Sequence, residues 1–548
     1  MARKNRNLNG KIPKRVKNEP KQNWPIATID FETDPFEYGR IPAPFCAGFY
    51  SLDIGFRCFW GADCVARLFD FLRALKRPHI IYAHNGGKFD FYFMLDELEN
   101  PLRIINSRIA QVKIGKHELR DSYCILPIPL RAYMKDDIEY SKLEADVRET
   151  HKEEIISYLK TDCIGLFEIV FKFIERFGLK LTIGSTAIGI LSEMHPFKKQ
   201  GELHDEKFRP FYFGGRVEAL KTGTHAGKWR VYDVNSMYPD VMRNCEHPTG
   251  TKYKVGYGRS IDKRGRIAGF LDAKFYFAQI TCNQNGAFPT RQKDGPLNFD
   301  IPEGEFFVTS HELKAALETG RAWGVKCVKC WIPEQTINFA DYVDRFMAEK
   351  IEAKASKNKA AEIFAKLLLN SAYGKFGSNP RAYHDYFLGD PPEPEKYEIY
   401  AAGAGRETIY RKPVERLSFY DVATAASITG AARAKLMRAL DCAVNPVYCD
   451  TDSIICEALN APLDESALGA WKLEAEGDQI TVIGKKVYAL RSGSEYVKTA
   501  SKGVVLTGEE IEGLAEGRSV EWENMAPSFS LGKRGTTFVK RTIKSLQG

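Results

Sequence analysis

The 548-residue chain is too long for one ordinary hydrophobic core and is expected to divide into several domains. A hydrophobic content of 44% and a charged content of 27% are those of a globular protein. No run approaches a membrane span and no apolar signal core follows the basic N-terminus, so an intracellular, non-secreted protein without a membrane segment is expected. Most of the net charge of +8 sits in residues 1–21, where Arg3, Lys4, Arg6, Lys11, Lys14, Arg15, Lys17 and Lys21 face only Glu19, so any polyanion must be gripped elsewhere by local patches.

The N-terminal run is poor in apolar residues, is expected to be disordered, and would add non-specific affinity for nucleic acid. From Trp24 the chain reads as a strand, Ile26-Ala27-Thr28-Ile29-Asp30-Phe31-Glu32-Thr33, whose alternation puts Asp30 and Glu32 on one face. A second strand, Ile80-Ile81-Tyr82-Ala83, leads through His84-Asn85-Gly86-Gly87-Lys88-Phe89 to Asp90. Helical periodicity over 154–170 places Tyr158 and Asp162 four residues apart on one face. Four acids from separate elements can cage two divalent ions, which activate water and stabilise the leaving oxygen of a phosphodiester, with Tyr158 orienting that water. Any one of these acids alone reads equally well as a surface carboxylate.

Further along, Tyr212-Phe213-Gly214-Gly215-Arg216 reads as a turn that permits close backbone approach, with Arg216 able to meet a phosphate. Val231-Tyr232-Asp233-Val234 reads as a short strand ending in an acid. The one CxxC, Cys327 to Cys330, stands in a strand-like run without a second pair, so the twelve cysteines are expected to be free thiols. A lysine-rich helix is expected to carry Lys350, Lys354, Lys357, Lys359 and Lys366, and an acid-free tail carries Lys533, Arg534, Lys540, Arg541 and Lys544. Lys366, Asn370 and Tyr373 share a helical face suited to a triphosphate, a sugar and a base, and Gly374 is expected to end that helix. In Val447-Tyr448-Cys449-Asp450-Thr451-Asp452-Ser453-Ile454-Ile455 two apolar strands flank a polar turn that presents two carboxylates. Magnesium is the natural counter-ion for such a pair, and Asp233 can supply a third ligand.

In this order the first segments resemble the three exonuclease motifs of the 3′–5′ proofreading domain of DNA polymerases: Asp30-x-Glu32, Asn85-x-x-x-Phe89-Asp90 and Tyr158-x-x-x-Asp162. The later ones resemble the three polymerase motifs of family B DNA polymerases: Asp233-x-x-Ser236-Met237-Tyr238-Pro239, Lys366-x-x-x-Asn370-Ser371-x-Tyr373-Gly374 and Tyr448-x-Asp450-Thr451-Asp452-Ser453. The resemblance implies an α+β multidomain fold, a ribonuclease H-like exonuclease domain followed by a right-hand polymerase of palm, fingers and thumb with two insertions. It implies catalytic roles for Asp233, Asp450, Asp452, Asp30, Glu32, Asp90, Tyr158 and Asp162, with Lys135 as a further exonuclease-site lysine. Magnesium, two ions per site and replaceable by manganese, is implied at Asp233, Val234 and Asp452 and at Asp30, Glu32 and Asp162. Val234, Tyr238, Lys354, Lys366, Asn370 and Tyr373 are implied to bind the nucleotide. Asn85, Phe89, Ser122, Tyr123, Tyr212, Gly214, Gly215, Thr429, Arg433, Lys486, Tyr488 and Lys502 are implied to contact DNA.

The long intervals between motifs and the Tyr212-x-Gly214-Gly215 element resemble the compact protein-primed subgroup of phages and linear plasmids. The implied domains are a basic tail (1–22), exonuclease (23–190), linker and first part of the palm (191–249), a first insertion that contacts terminal protein or DNA (250–345), fingers (346–378), a second insertion for strand displacement and processivity (379–420), palm (421–480), and thumb with basic tail (481–548). The implied partners are template–primer DNA, dNTPs, a terminal priming protein and a single-stranded DNA-binding protein, with the enzyme itself a monomer. Two other readings are a primer-independent or nucleic-acid-primed polymerase, and a nuclease whose polymerase half only binds DNA.

Overall fold

The structure, a computed structural model, describes residues 21–37, 42–134, 137–197, 199–291, 297–401, 408–414, 420–523, 529–530, 533–536 and 540–543. Lys135 and nearly all of the basic N-terminal run therefore lie outside the described residues. Alternation sets the first strand, β1 (Ile26–Thr33): Ala27, Ile29 and Phe31 are buried on one face, and Thr28, Asp30 and Glu32 share the other. β1 pairs antiparallel with β2 (Pro44–Ser51), which pairs with β3 (Gly55–Trp60). Helix α1 (Cys64–Ala74) sends Leu68, Phe69 and Leu72 into the core that holds Ala27, Ile29 and Phe31. β4 (Ile80–Ala83) runs parallel to β1 and to β7 (His117–Asp121), after β5 (Glu99–Ile105) and β6 (Arg108–Ile114) have built the far side of the sheet.

Helix α2 (Lys152–Phe177) is longer than the periodic stretch suggested, and covers the other face of β1, where Thr28 Oγ1 donates to Cys163 O at 2.7 Å. Its C-terminal Phe173 and Phe177 pack at 5.4 and 5.8 Å on Phe364, which carries the helix past 170 into a second core. Helices α3 (Ile183–Met194) and α4 (Glu202–Phe208) lead to β8 (Val217–Ala219) and β9 (Gly223–Val234). After α5 (Met237–Asn244) come β10 (His247–Tyr257), β11 (Phe277–Gln284), the short ribbon β12 (Thr290–Arg291) with β13 (Leu297–Asn298), β14 (Glu303–Thr309), α6 (Ser310–Glu318) and β15 (Ala322–Ile337). Four of these strands form a separate antiparallel sheet in the order β10-β15-β11-β14. A bulge in β15 turns both Cys327 and Cys330 into its core, where they are free thiols.

The lysine-rich segment is two helices rather than one, α7 (Ala340–Ala355) and α8 (Lys359–Phe376), broken at Lys357, whose φ is 56°. Gly374 does not end α8 either. The helix runs on to Phe376, which is buried and packs on Phe197 and Phe339, so apolar burial outweighs the cost of a glycine inside the last turn.

β16 (His384–Leu388), β17 (Glu398–Ala401) and β18 (Ile409–Pro413) return to the first domain, where Tyr386 pairs with Leu102 of β5. Asn100 clasps both backbone groups of Leu388, its Nδ2 donating to the carbonyl at 2.8 Å and its Oδ1 accepting from the amide at 2.9 Å. The result is one sheet in the order β17-β18-β16-β5-β6-β7-β4-β1-β2-β3.

Helix α9 (Val422–Cys442), rich in small residues, is buried almost all round. β19 (Ala443–Val444), β20 (Tyr448–Asp450), β21 (Ser453–Cys456), β22 (Ala458–Leu459), β23 (Trp471–Gly484), β24 (Val487–Ser492) and β25 (Glu495–Ser501) follow. β19 and β22 pair with each other, and the other five complete an antiparallel sheet in the order β25-β24-β23-β9-β21-β20-β8. α10 (Gly508–Ala515) packs over its β24 end. No helix among the described residues is long and apolar enough to cross a membrane.

Two candidate active sites

The first site lies between β1 and α2. Asp30 and Glu32 come from the β1 face that meets α2, Asp162 and Tyr158 from α2, and Asp90 from the turn after β4. Asp30, Glu32, Tyr158 and Asp162 line one cavity of about 360 Å³, together with Phe89, His84 and the exposed Tyr140. Burial, then Asp90, Glu32 and Asp162, hold Asp30 well above the usual carboxylate range. Glu32 is pushed up to about 8 by burial and then by Asp162 and Asp90. Asp90 is pushed up to about 7 by burial, against the pull of backbone amides, and its Oδ1 is buried without a partner. The Tyr158 hydroxyl is also raised, by burial and by Asp162 and Glu32.

Among the described residues no three of these groups already converge as a closed ligand set. Hard oxygen donors that raise one another's proton affinity suit a hard divalent cation.

Around this cavity the residues implied to meet DNA divide into two groups. Phe89 is half-buried against Phe36 and Phe93, and Tyr123 carries the Arg108 guanidinium 4.4 Å from its ring. Asn85, at φ 63°, is exposed and accepts from Arg108 Nη1 at 2.8 Å. Ser122 is fully buried, its Oγ bonded to His84 Nδ1 at 3.0 Å and to Ala83 O at 3.2 Å.

The second site lies at the centre of the seven-stranded sheet. β20 and β21 form the expected hairpin, with Thr451 at φ 54° between Asp450 and Asp452. β21 pairs with β9 so that Ser453 faces Asp233, and Val234 N donates to Asp452 O at 2.8 Å. Two hundred residues of intervening chain are thereby closed onto a few ångströms. Asp233 is pushed up to about 6 by burial and then by Asp452 and Glu474, against Lys472 and Lys498. Asp452 is raised by burial and then by Asp450 and Glu474. Asp450 is ion-paired with Lys486 and accepts from Tyr448 OH at 3.4 Å and Thr451 Oγ1 at 3.1 Å. Asp233 and Asp452, unlike Asp450, are not paired with Lys486. Val234 buries its side chain and gives its amide to Asp452 O, so only its carbonyl could meet a ligand.

Glu474 and Lys472 were not anticipated from sequence. β23 pairs with β9 and sets Lys472 opposite Asp233, Nζ to Oδ1 3.8 Å, with Glu474 Oε1 at 3.4 Å from the same ammonium. Their only sequence signal is alternation in a strand whose neighbour the sequence does not reveal.

Tyr238 and Tyr373 stack face to face, centroids 3.8 Å apart at 17°, which brings the start of α5 against α8. Lys366 and Asn370 are exposed on α8 and Lys354 on α7. Lys486, Tyr488 and Lys502 line a cavity of about 850 Å³ with Asp450 and Asp452.

The Tyr212–Gly215 loop abuts this hairpin. A β-carbon on Gly215 would lie 2.4 Å from Thr451 Oγ1, and one on Gly377 would lie 2.4 Å from Tyr212 OH, whereas Gly214 is exposed in open space. Three residues expected to meet phosphate or a strand form bonds within the protein. Arg433 is buried, paired with Glu312 at 2.8 Å and donating to Phe213 O and Gly214 O at 2.6 and 2.7 Å. Thr429 is buried one turn away with its hydroxyl on Ala425 O at 3.1 Å. Arg216 is buried against Glu218, Gly286 O and the Phe299 ring. The Arg433 bonds tie the Tyr212–Gly215 loop to α9, while Arg433 Nη2 is buried without a partner among the described residues.

One sheet-borne acidic centre beside a lysine and tyrosine stripe, and a second acidic centre in a separate sheet domain, define a nucleic-acid polymerase with its own nuclease domain. Residues 125–466 match the family described as DNA polymerase type B, organellar and viral. The DNA-directed DNA polymerase of Enterobacteria phage PRD1 is 41% identical over 96% of this chain and 98% of its own length. The DNA polymerase of Bacillus phage phi29 is 24% identical over 76% of this chain and 78% of its own. The structure of phi29 DNA polymerase with primer-template DNA and incoming nucleotide superposes with a TM-score of 0.70 over 95% of this chain and 100% of that one, at 19% identity. The chain belongs to the type B DNA polymerases of organellar and viral type, and is a DNA-directed DNA polymerase. Both of these relatives are phage enzymes, the type that the motif spacing resembles. Family B polymerases are metal-dependent enzymes.

Proposed function

We propose that the chain replicates a linear phage or plasmid genome, starting synthesis on a terminal protein and proofreading at a separate 3′–5′ exonuclease site. The observation that carries this is the pair of carboxylate centres on separate sheets of one chain, Asp233 with Asp452 and Asp30 with Glu32. In this reading residues 23–190 are the exonuclease, 191–249 and 421–480 the palm with its linker, 346–378 the fingers, and 481–548 the thumb and tail. Residues 250–345 and 379–420 are the insertions that meet terminal protein and encircle DNA.

Asp233, Asp452 and the Val234 backbone would hold magnesium at the synthesis centre, and Asp30, Glu32 and Asp162 at the exonuclease centre, two ions per site with manganese as a substitute. Bound there, the metal supplies Lewis acidity that activates the attacking hydroxyl or water and neutralises the leaving oxygen. Lys354 and Lys366 bind the triphosphate, and Asn370 and Tyr373 the sugar and base. Tyr238, pinned by its stack on Tyr373, sits beneath the sugar and excludes a 2′-hydroxyl. Lys486, Tyr488 and Lys502 hold the primer strand along their shared cavity, and Tyr212, Gly214 and Gly215 the template. At the other centre Tyr158 orients the water, Asp90 completes the acidic set, and Asn85, Phe89 and Tyr123 hold the frayed 3′ end. Base-pair differences of a few kcal/mol give limited selection, which is the physical reason for a second, hydrolytic site.

Template–primer DNA and dNTPs are the substrates; the phi29 enzyme has been seen with both. Terminal protein and a single-stranded DNA-binding protein are the proposed partners of a monomeric enzyme. The test incubates the enzyme with labelled dNTP, magnesium and template, with and without a candidate terminal protein. Label transferred onto protein is expected. Incorporation only onto a nucleic-acid primer would overturn protein priming, and no incorporation would leave a nuclease with a DNA-binding scaffold.

A further inference from the structure

Lys350, on α7, feels the charges of Lys366, Lys354 and Lys472, and Lys472 lies beside Asp233 of the synthesis centre. Lys350 and Lys354 stand one turn apart on α7, Lys366 comes from α8, and Lys472 from β23. Like charges one turn apart slightly disfavour a helix, and a bound anion would offset that cost. Among the described residues no carboxylate forms an ion pair with Lys350, Lys354 or Lys366. Glu362, the acid that most affects Lys350, is turned toward Lys359 at 3.7 Å. Lys350 itself is half-buried and is held below the usual lysine range by burial, then by Lys366, with Lys354 and Lys472 adding to the effect. Lys472 fixes where the cluster points, because its ammonium lies 3.8 Å from Asp233 Oδ1.

We propose that Lys350 and Lys472 join Lys354 and Lys366 in one site that holds the β- and γ-phosphates of the incoming nucleotide and the pyrophosphate it releases. The inference rests on the polymerase reading above. In synthesis the attacking oxygen forms a bond to the α-phosphorus while the bond from that phosphorus to the bridging oxygen breaks. The electron pair leaves on pyrophosphate, and the negative charge moves away from Asp233 and Asp452 toward the lysines. Lys472 bridges the two regions: it compensates Asp233 in the free enzyme and turns to phosphate when the nucleotide enters. Lys350, half-buried where Lys354 and Lys366 are exposed, meets phosphate with less competing water, which strengthens a charge-assisted contact.

The alternative occupant of the cluster is the phosphate backbone of DNA, and the test separates the two. Lys350→Met and Lys472→Met are made in the full chain. KM is measured for dNTP in primer extension and for pyrophosphate in the reverse reaction, with DNA affinity and digestion of a single strand alongside. Both KM values should rise about tenfold in each variant, the size of one lost charge-assisted contact, while DNA affinity and digestion hold, and Lys350→Arg should restore the nucleotide and pyrophosphate values. Unchanged KM values would overturn the proposal. So would a fall in DNA affinity and its salt slope without a change in KM, which would put the lysines on DNA, and so would loss of both activities together, which would make them structural. Lys366→Met run in parallel separates the two levels. If it too leaves KM unchanged, the polymerase-site reading fails; if it alone raises KM, only this inference does.

Discussion

Gly215→Ala should cripple synthesis and spare the nuclease site. The added β-carbon would lie 2.4 Å from Thr451 Oγ1, 2.9 Å from its Cγ2 and 3.0 Å from its Cβ. Thr451 has little room to retreat, since it is held at φ 54° by a 2.7 Å bond from its amide to Arg216 O and a 3.1 Å bond from Oγ1 to Asp450 Oδ1. Relief must therefore come from movement of the hairpin tip that carries Asp450 and Asp452. Overpacking of this kind costs about 1–3 kcal/mol, and a shift of about 1 Å in a catalytic group lowers rates by about 100-fold. The assay compares primer extension with digestion of a single strand by the same preparation. Extension should fall about 100-fold with digestion unchanged. Thr451→Ala in the same chain removes the two closer atoms and leaves the 3.0 Å contact, so the double variant should recover most of the extension rate. Normal extension by the single variant, or no recovery in the double, would refute the contact as the reason for glycine here.

Metal-free protein should lose stability as pH rises. Glu32 at about 8 and Asp90 at about 7 bind protons more tightly folded than unfolded, so their stabilisation is fully present below the ordinary carboxylate range and is lost as pH passes through those values. Thermal melts in EDTA should show Tm falling between about pH 6 and about pH 8.5, with magnesium flattening the slope; a rising Tm over that interval would contradict this. Arg433→Met should cost about 3–5 kcal/mol in denaturant unfolding by stranding buried Glu312, while the salt slope of DNA binding stays put. A reduced slope would return Arg433 to the DNA surface. Tyr238→Val should relax discrimination against ribonucleotides by about ten- to a hundredfold, the value of a clash of about 1–3 kcal/mol, and unchanged discrimination would remove Tyr238 as the barrier.

The parts of the sites that were legible in sequence are those fixed by local geometry. Strand alternation places Asp30 and Glu32 together, one helical turn joins Tyr158 to Asp162, and the apolar runs around Asp450 and Asp452 make a hairpin whatever lies beside them. What was illegible depends on partners far off in the chain. Arg433 reads as a cation free to meet DNA until Glu312, 121 residues away, is placed against it. Lys472 and Glu474 look like surface charges until β23 is laid beside β9, and nothing local in 384–413 announces that these strands extend the sheet of the nuclease domain through Asn100. The break between α7 and α8 was missed because the lysines continue across it; only the burial of Phe346 and Phe364 on the two sides reveals a hairpin of helices.

Two chemically independent carboxylate centres on one chain are tested most directly by a pair of single substitutions, Asp30→Ala and Asp452→Ala, each assayed for dNTP incorporation and for 3′–5′ digestion. Asp30→Ala should abolish digestion and keep synthesis, and Asp452→Ala should do the reverse. If either substitution abolished both activities in a protein that still melts cooperatively, the assignment of two separate centres would be contradicted.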